Sequence, residues 1–321
     1  LILMLLGAGM GIILGAIPGL GGGLGITLML PLTFAMDSNT AIAFLMSISV
    51  GGISGGFIGS VLLGIPGDTT SLSTVLDGYP MTKKGETVRA LSTCTVVNFI
   101  STVPSIIVAM IASPLIASVA VKLGAWELFA LCLFALCMVI SMSNQNIFKG
   151  MIAMGLGFLV STIGRDPMGG VKRFTFDSYQ LSGGINQVSL MLGLFAGVNI
   201  IMEFAKGTSS TLSEKVKISR FKWPGKDMIE NKVNILRSWI IGAFIGFLPG
   251  MGATLANVVA YAQAKKASKH PEEFGKGSIE GLIAPETANN ASIGGAMIPL
   301  LSLGIPGDGN TALLLAALTI Q

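Results

Sequence analysis

Long apolar runs, separated by short clusters of charge, organise this chain. The only ionisable side chain between Leu1 and Gly67 is Asp37, and no charge lies between Arg89 and Lys122, Glu127 and Lys149, Asp177 and Glu203, or Arg237 and Lys265. Each gap matches or exceeds the roughly 20 residues a helix needs to cross a hydrocarbon core. The runs are continuous rather than alternating with period two, which selects helices. In lipid, backbone groups must bond within the segment or within a closed barrel. The pattern therefore predicts an all-α polytopic membrane protein.

Along the chain, apolar segments at 1–17 and 20–36 form a first pair, joined at Pro18-Gly19. A broken helix over 40–80 follows, interrupted at Gly64-Ile65-Pro66-Gly67-Asp68, and then a basic turn with Lys83, Lys84 and Arg89. Four further crossings are expected near 90–121, 127–145, 149–163 and 184–205. The first of these holds Pro104 and Pro114 and reads as a kinked helix or a hidden hairpin. Residues 165–182 are polar and loop-like, and 206–232 form the most basic loop.

After that loop the opening pattern returns. GIILGAIPGLGG at 11–22 is answered by GAFIGFLPGMGA at 242–253, and SVLLGIPGD at 60–68 by LLSLGIPGD at 300–308. Two different breaks recurring in one order at nearly one separation indicate an internal duplication. The first repeat spans 1–89 (hairpin 1–36, broken helix 40–80) and the second 233–321 (hairpin 235–264, broken helix 277–321), with the crossings of 90–205 and the loop 206–232 between. If basic loops face the cytoplasm, Lys232, Arg237, Lys265, Lys266 and Lys269 place both ends of the second pair there. The first pair has no basic flank. Four crossings between them make the halves inverted, each with a re-entrant hairpin and a broken transmembrane helix. Secondary transporters use this logic, with discontinuous helices meeting near the midplane.

Composition agrees with the hydropathy: 51% of the 321 residues are hydrophobic and 11% charged, against about 25% charged in a soluble domain. The net charge of +4 could suggest nucleic acid. The positive residues sit in loops between apolar spans, however, so a membrane topology signal accounts for them and no nucleic-acid partner is expected. Cys94, Cys132 and Cys137 lie in apolar runs without metal spacing and read as small buried hydrophobes. The single His270 lies in a basic loop. Leu1 is not a natural start and Gln321 falls inside an apolar run, so the chain reads as C-terminally truncated, a piece of a longer protein.

Candidate chemistry sits where helices fail. Proline removes a backbone donor and glycine permits non-helical dihedrals, so GIPG ends a helix at membrane depth. Asp68 and Asp308 stand where a half-helix restarts, as caps or as ligands of a coupling cation, with carbonyls of Gly64, Ile65, Gly304 and Ile305 as further oxygens. An aspartate repels an anion, so the exposed amides with Thr69, Thr70, Ser71, Asn310 and Thr311 are assigned to a carboxylate substrate. The hairpin tips (Pro18, Gly19, Gly21 and Gly22; Gly250, Gly252 and Thr254) bare more amides for it. Glu286, Thr287, Asn289 and Asn290 lead into the second break, and the two asparagines suit cation coordination or polar helix contacts. Neutral oxygen groups around the breaks lean toward Na⁺ over H⁺ as coupling ion. GLGGGLG is not preceded by a strand and lacks the dinucleotide-binding spacing, and no P-loop is present. No nucleophile–base pair is evident, so an enzyme is not expected; an ion channel or a transporter of another solute is the alternative reading.

PGLGGG near the start, GIPGDTTSLSTVLDGYPMTKKGE at 64–86, PETANNA at 285–291 and GIPGDGNTALLLAAL at 304–318 resemble the large membrane subunit of the bacterial tripartite tricarboxylate transporters, the TctA family. The resemblance covers essentially the whole chain. It implies a multi-pass inner-membrane transporter with a periplasmic solute-binding protein and a small membrane subunit as partners. It also implies ion-driven uptake of citrate-like or related carboxylates, without a cofactor.

Overall fold

The computed structural model describes residues 1–120, 147–165, 171–185 and 220–320, with isolated positions between 122 and 133 and at 190, 201, 204 and 205. It is helical almost throughout. Helices α1 (Ile2–Ala16) and α2 (Gly21–Thr33) form the first pair, and α3 (Ser38–Leu63) and α4 (Leu72–Lys83) are the limbs of the first broken helix. Helix α5 covers Thr87–Ala120 and α6 covers Ile147–Ser161. The second half repeats the order: α8 (Lys232–Phe247) and α9 (Gly252–Ala267) follow a short α7 (Gly225–Glu230), and α10 (Ile279–Leu303) precedes α11 (Gly309–Ile320).

Small residues set the packing in both halves. On α1 the buried positions are Gly7, Gly11 and Gly15, spaced four apart on one face. A Cβ on Gly11 would stand 2.3 Å from the Ile48 carbonyl oxygen of α3, and one on Gly15 would stand 2.1 Å from that of Gly52. In the second half, a Cβ on Gly242 would lie 2.2 Å from the Ala288 carbonyl oxygen of α10, and one on Gly246 2.4 Å from that of Ser292. Such stripes let backbones touch, which drives helix association where no hydrophobic force separates helix from lipid.

Each half also crosses into the other. Ile26, Leu30, Phe44, Leu45 and Ile48 of α2 and α3 share one buried cluster with Met297, Ile298, Leu313 and Leu314 of α10 and α11. Helix α10 is the most enclosed element, with every residue from Gly281 to Leu300 buried. Its Glu286, Asn289 and Asn290 are tolerated because protein, rather than lipid, surrounds them. By contrast α5 presents Phe99, Val103, Met110, Ile111 and Leu115 outward, an apolar exterior that suits a bilayer.

Among the described residues, Ser38–Leu63 and Thr87–Val119 are long and apolar enough to cross a membrane. The 15 residues of α1 and 13 of α2 give arms of roughly 20 Å at 1.5 Å per residue, short of a core about 30 Å thick.

The stretch expected near 90–121 as a kinked helix or hidden hairpin is one helix of 34 residues, with Pro104 and Pro114 inside. Proline 104 disturbs the carbonyls one turn before it, and Ser101 O is taken up by Trp239 Nε1 of α8 at 3.0 Å. A side chain from the other half thus docks beside the proline, on the carbonyl next to the one (Ile100) that Pro104 leaves without its helical donor. The basic loop expected to run to 232 contains α7, because Asp227 is buried and clasped by Arg89 through Nε at 2.9 Å and Nη2 at 2.6 Å. The polar stretch after 163 holds a two-strand ladder, Gly164–Arg165 (β1) against Lys172–Arg173 (β2). The crossings expected at 127–145 and 184–205 lie outside the described residues but for isolated positions, as do the whole basic run 206–219, Cys132 and Cys137; Cys94 is a buried free thiol.

Candidate functional site

The two breaks are built alike. Helices α3 and α10 each end on a left-handed glycine, Gly64 at φ +68 and Gly304 at φ +67, a conformation that favours glycine. Pro66 and Pro306 prevent resumption until the aspartate two residues on. Asp68 then caps a 3₁₀ turn, Thr69–Ser71, which leads into α4. Its Oδ1 accepts from Thr70 N at 2.9 Å and from the Thr70 hydroxyl, while Asp68 N donates to Ser71 Oγ at 3.5 Å. Asp308 caps α11 in the same way: Oδ1 accepts from Thr311 N and Thr311 Oγ1, both at 2.8 Å, and Asp308 N donates to Thr311 Oγ1 at 2.8 Å. Capping is therefore a role both aspartates visibly perform.

The hairpin tips close against these breaks. Gly19 and Gly21 hold φ +84 and +60, and Gly250 and Gly252 hold +77 and +56. Gly19 N donates to Gly67 O at 2.9 Å. A Cβ on Gly21 would lie 3.1 Å from Asp68 Cβ, and one on Gly252 2.6 Å from Asp308 Cβ. Across the halves, Thr69 Oγ1 meets Thr254 Oγ1 at 3.1 Å. A Cβ on Gly23 would lie 2.9 Å from Asn310 Oδ1. These five contacts make the four sides of a closed ring: first tip, first break, second tip, second break. The corners are the starts of α2, of the turn leading into α4, of α9 and of α11. The starts of α2 and α9 have no side-chain cap, so their free N–H groups and dipole ends are open to an anion, while Asp68 and Asp308 occupy the other two corners.

The ring sorts the residues assigned from sequence. Thr70, Ser71 and Thr311 commit their hydroxyls to the caps. Thr69, Thr254 and Asn310 make the cross-half contacts, with Thr69 exposed and the other two half-buried. Pro18, Gly19, Gly21, Gly22, Gly250 and Gly252 lie in the tips or the first turns that follow. Asn289 and Asn290 are elsewhere, within α10. Asn290 Oδ1 accepts from Ser54 Oγ at 2.7 Å and Thr102 Oγ1 at 3.1 Å, and its Nδ2 donates to Glu286 O at 3.0 Å.

Three buried polar residues escaped assignment. Asn257 on α9 accepts from Ser73 N at 2.9 Å, which fixes its amide so that the unpartnered Nδ2 remains a donor beside the ring. Asp77 on α4, fully buried, accepts at Oδ1 from Gly275 N, Gly277 N and Ser278 N at 2.9, 2.8 and 2.7 Å, and at Oδ2 from Tyr261 OH at 3.0 Å. It fastens the α9–α10 loop of the second half to the first. Glu286 accepts from the Thr74 hydroxyl of α4. A lone polar residue in an apolar run is the only sequence signal for Asn257, and Asp77 stands in DGYP without distinguishing spacing.

The model of one protein family, described as the tripartite tricarboxylate transporter TctA family, matches residues 1–321. The chain belongs to the TctA family. Two proteins of Agrobacterium vitis are similar to it. One, described as an uncharacterized 52.8 kDa protein in the TAR-I ttuC' 3' region, is 36% identical over 315 residues, 97% of this chain and 62% of the relative. The other, an uncharacterized protein in the TAR-II ttuC' 3' region, is 48% identical over 80 residues, 25% of this chain and 33% of the relative. The chain thus spans about three-fifths of the length of the first relative. No solved structure matches. The family is described as one of tripartite tricarboxylate transporters.

Proposed function

We infer that the chain forms the substrate-handling part of a secondary transporter that imports citrate-like or related carboxylates across the bacterial inner membrane, driven by an ion gradient. The ring of four helix starts carries this reading. It offers amide donors and dipole charge to an anion, and hydroxyls and an amide from both halves. Family membership supports a periplasmic solute-binding protein and a small membrane subunit as partners. In this reading the halves are inverted, the short pairs α1–α2 and α8–α9 are re-entrant, and one half moves against the other. We assign the coupling cation, Na⁺ in preference to H⁺, to two groups of oxygens: Asp68 and Asp308 with the carbonyls of Gly64 and Gly304 at the breaks, and Asn289 and Asn290 within α10.

The test is uptake of radiolabelled organic acids into proteoliposomes holding the full-length protein with its partner subunits, under imposed Na⁺ or pH gradients. Saturable uptake that follows one gradient is expected, with Asp68→Asn and Asp308→Asn altering the ion dependence. Ion flux without saturable solute uptake would indicate a channel and refute the reading. Unchanged ion dependence in both variants would remove the aspartates from coupling.

A further inference from the structure

Glu286 is the one carboxylate in the interior of α10, and it is 0% exposed. Among the described residues no lysine, arginine or histidine pairs with it. The Thr74 hydroxyl of α4 donates to Oε1, and Oε2 has no hydrogen-bond partner. An isolated carboxylate cannot stay charged in such an interior without compensation.

The neighbours narrow what compensates it. Asn98 and Cys94 of α5 lie against Glu286, and Asp68 of the first break is the other carboxylate within electrostatic reach. Asn98 Nδ2 donates to Ser54 O at 3.1 Å. A carbonyl oxygen only accepts, so the amide orientation is fixed and Asn98 Oδ1 is the atom left without a partner. One turn beyond Glu286, on the same side of α10, Asn289 is fully buried with both side-chain polar atoms unpartnered. Helices α3 and α11 carry no ionisable residue. Cations on α8 and α9 are engaged or distant: Arg237 donates to Gln263 Oε1 at 3.0 Å, Lys232 begins α8, and Lys265 and Lys266 are exposed at the end of α9. Tyr261 of α9 is held by Asp77.

Around Glu286 three acceptor oxygens lack partners, Glu286 Oε2, Asn98 Oδ1 and Asn289 Oδ1, and the unpartnered donor among these side chains is Asn289 Nδ2. One proton on Glu286 would satisfy one of those oxygens. A hard cation coordinates oxygens of all these kinds at once, and one positive charge balances the one carboxylate that has no cap to serve. We propose that Glu286, with Asn289, Asn98 and the Thr74 hydroxyl, forms a buried binding site for a monovalent metal cation of the sodium type. The site joins α10 of the second half to α4 and α5, so occupancy fastens these elements together. Its role as the site of the coupling ion rests on the transporter reading above; its existence as a cation site does not.

The test uses purified full-length protein in detergent, with NaCl as the probe and KCl and choline chloride as comparators. Binding of ²²Na⁺ by scintillation proximity is expected for the wild type, and Glu286→Gln should abolish it. Asn289→Ala should raise the half-saturating sodium concentration about tenfold, the loss of one ligand interaction of about 1.4 kcal/mol. Sodium should also raise the thermal unfolding midpoint of the wild type, because ligand that binds only the folded state stabilises it, and this rise should vanish in Glu286→Gln. That variant removes an uncompensated charge, so it should fold at least as well as wild type without sodium. If Glu286→Gln misfolds, Asn289→Ala alone decides through its sodium affinity. Undiminished sodium binding in both variants would overturn the site. So would a sodium-independent wild type whose infrared band for a protonated carboxyl disappears in Glu286→Gln, since that assigns a proton. Sodium binding by protein that shows no carboxylate uptake once reconstituted with its partner subunits into proteoliposomes would sink the transporter reading while supporting this site.

Discussion

Replacing Asp77 by alanine removes a single acceptor group on which four donors converge. Three are backbone N–H groups of one loop, at Gly275, Gly277 and Ser278, and the fourth is the Tyr261 hydroxyl. Leaving a buried donor unsatisfied costs about 1–3 kcal/mol. Four such losses, partly relieved by water entering the opened loop, amount to about 4 kcal/mol. At about 1.4 kcal/mol per decade, that is a nearly 10³-fold increase in the open population of residues 268–278. Asp77→Asn should behave differently. Its Oδ1 can still face the three N–H groups, and its Nδ2 can donate to Tyr261, whose hydroxyl accepts as readily as it donates. Only the charge assistance is lost, about 1–2 kcal/mol. Hydrogen–deuterium exchange of the full-length protein in detergent reads the loop directly. Protection of 275–278 should collapse in Asp77→Ala and fall by only a factor of about 10 in Asp77→Asn. Equal loss in the two variants, or protection retained in Asp77→Ala, would refute the idea that this side chain holds the loop.

Two further outcomes follow from the packing. Gly242→Ala places a methyl 2.2 Å from the Ala288 carbonyl oxygen, where backbone must yield; a loss of about 3 kcal/mol, seen as a lower thermal midpoint in detergent, is expected. Gly9→Ala, with open space around its Cβ, should leave the midpoint unchanged, and equal effects would show that close approach is not the cause. With the native cysteines replaced, Thr69→Cys and Thr254→Cys should form a disulfide under mild oxidant, because their hydroxyls meet at 3.1 Å. If one half moves against the other, the cross-link should abolish uptake and reductant should restore it; full uptake while cross-linked would argue against that movement.

The failures of helix were easier to foresee from sequence than the way the helices pack. Gly64, Pro66, Gly304 and Pro306 fix where α3 and α10 stop through local dihedral chemistry, and the two helices end at Leu63 and Leu303. Pro104 misled in the other direction. Helix α5 runs on through it with Trp239, 135 positions away in sequence, bonded to the nearby Ser101 carbonyl, and no local pattern announces that contact. The assigned site residues divide in the same manner. Asp68 and Asp308 announce themselves as caps, being the first polar residues after a proline break. That Asn290 bridges α3 and α5 while Asn289 has no partner depends on how α10 is rotated among its neighbours. A helix buried on all sides has no amphipathic stripe from which to read that rotation. Asp77 and Asn257 owe their roles to partners about 180–200 residues distant, beyond any motif.

The ring of four helix starts also bears on how such a chain could have arisen. One half taken alone owns two corners, a tip and a break, and the other two contacts reach across to its counterpart. If an ancestral unit of this length existed, it would have closed this ring only as a homodimer, with both copies contributing identical corners. Fusing the copies into one chain fixes their ratio and frees each to drift. The sequence records such drift: at the position of Glu286, counted back from the second break, the first half has Met46, and opposite Asn289 and Asn290 it has Ser49 and Val50. An ionisable group in one copy and none in the other is an asymmetry that a dimer of identical units could not have encoded.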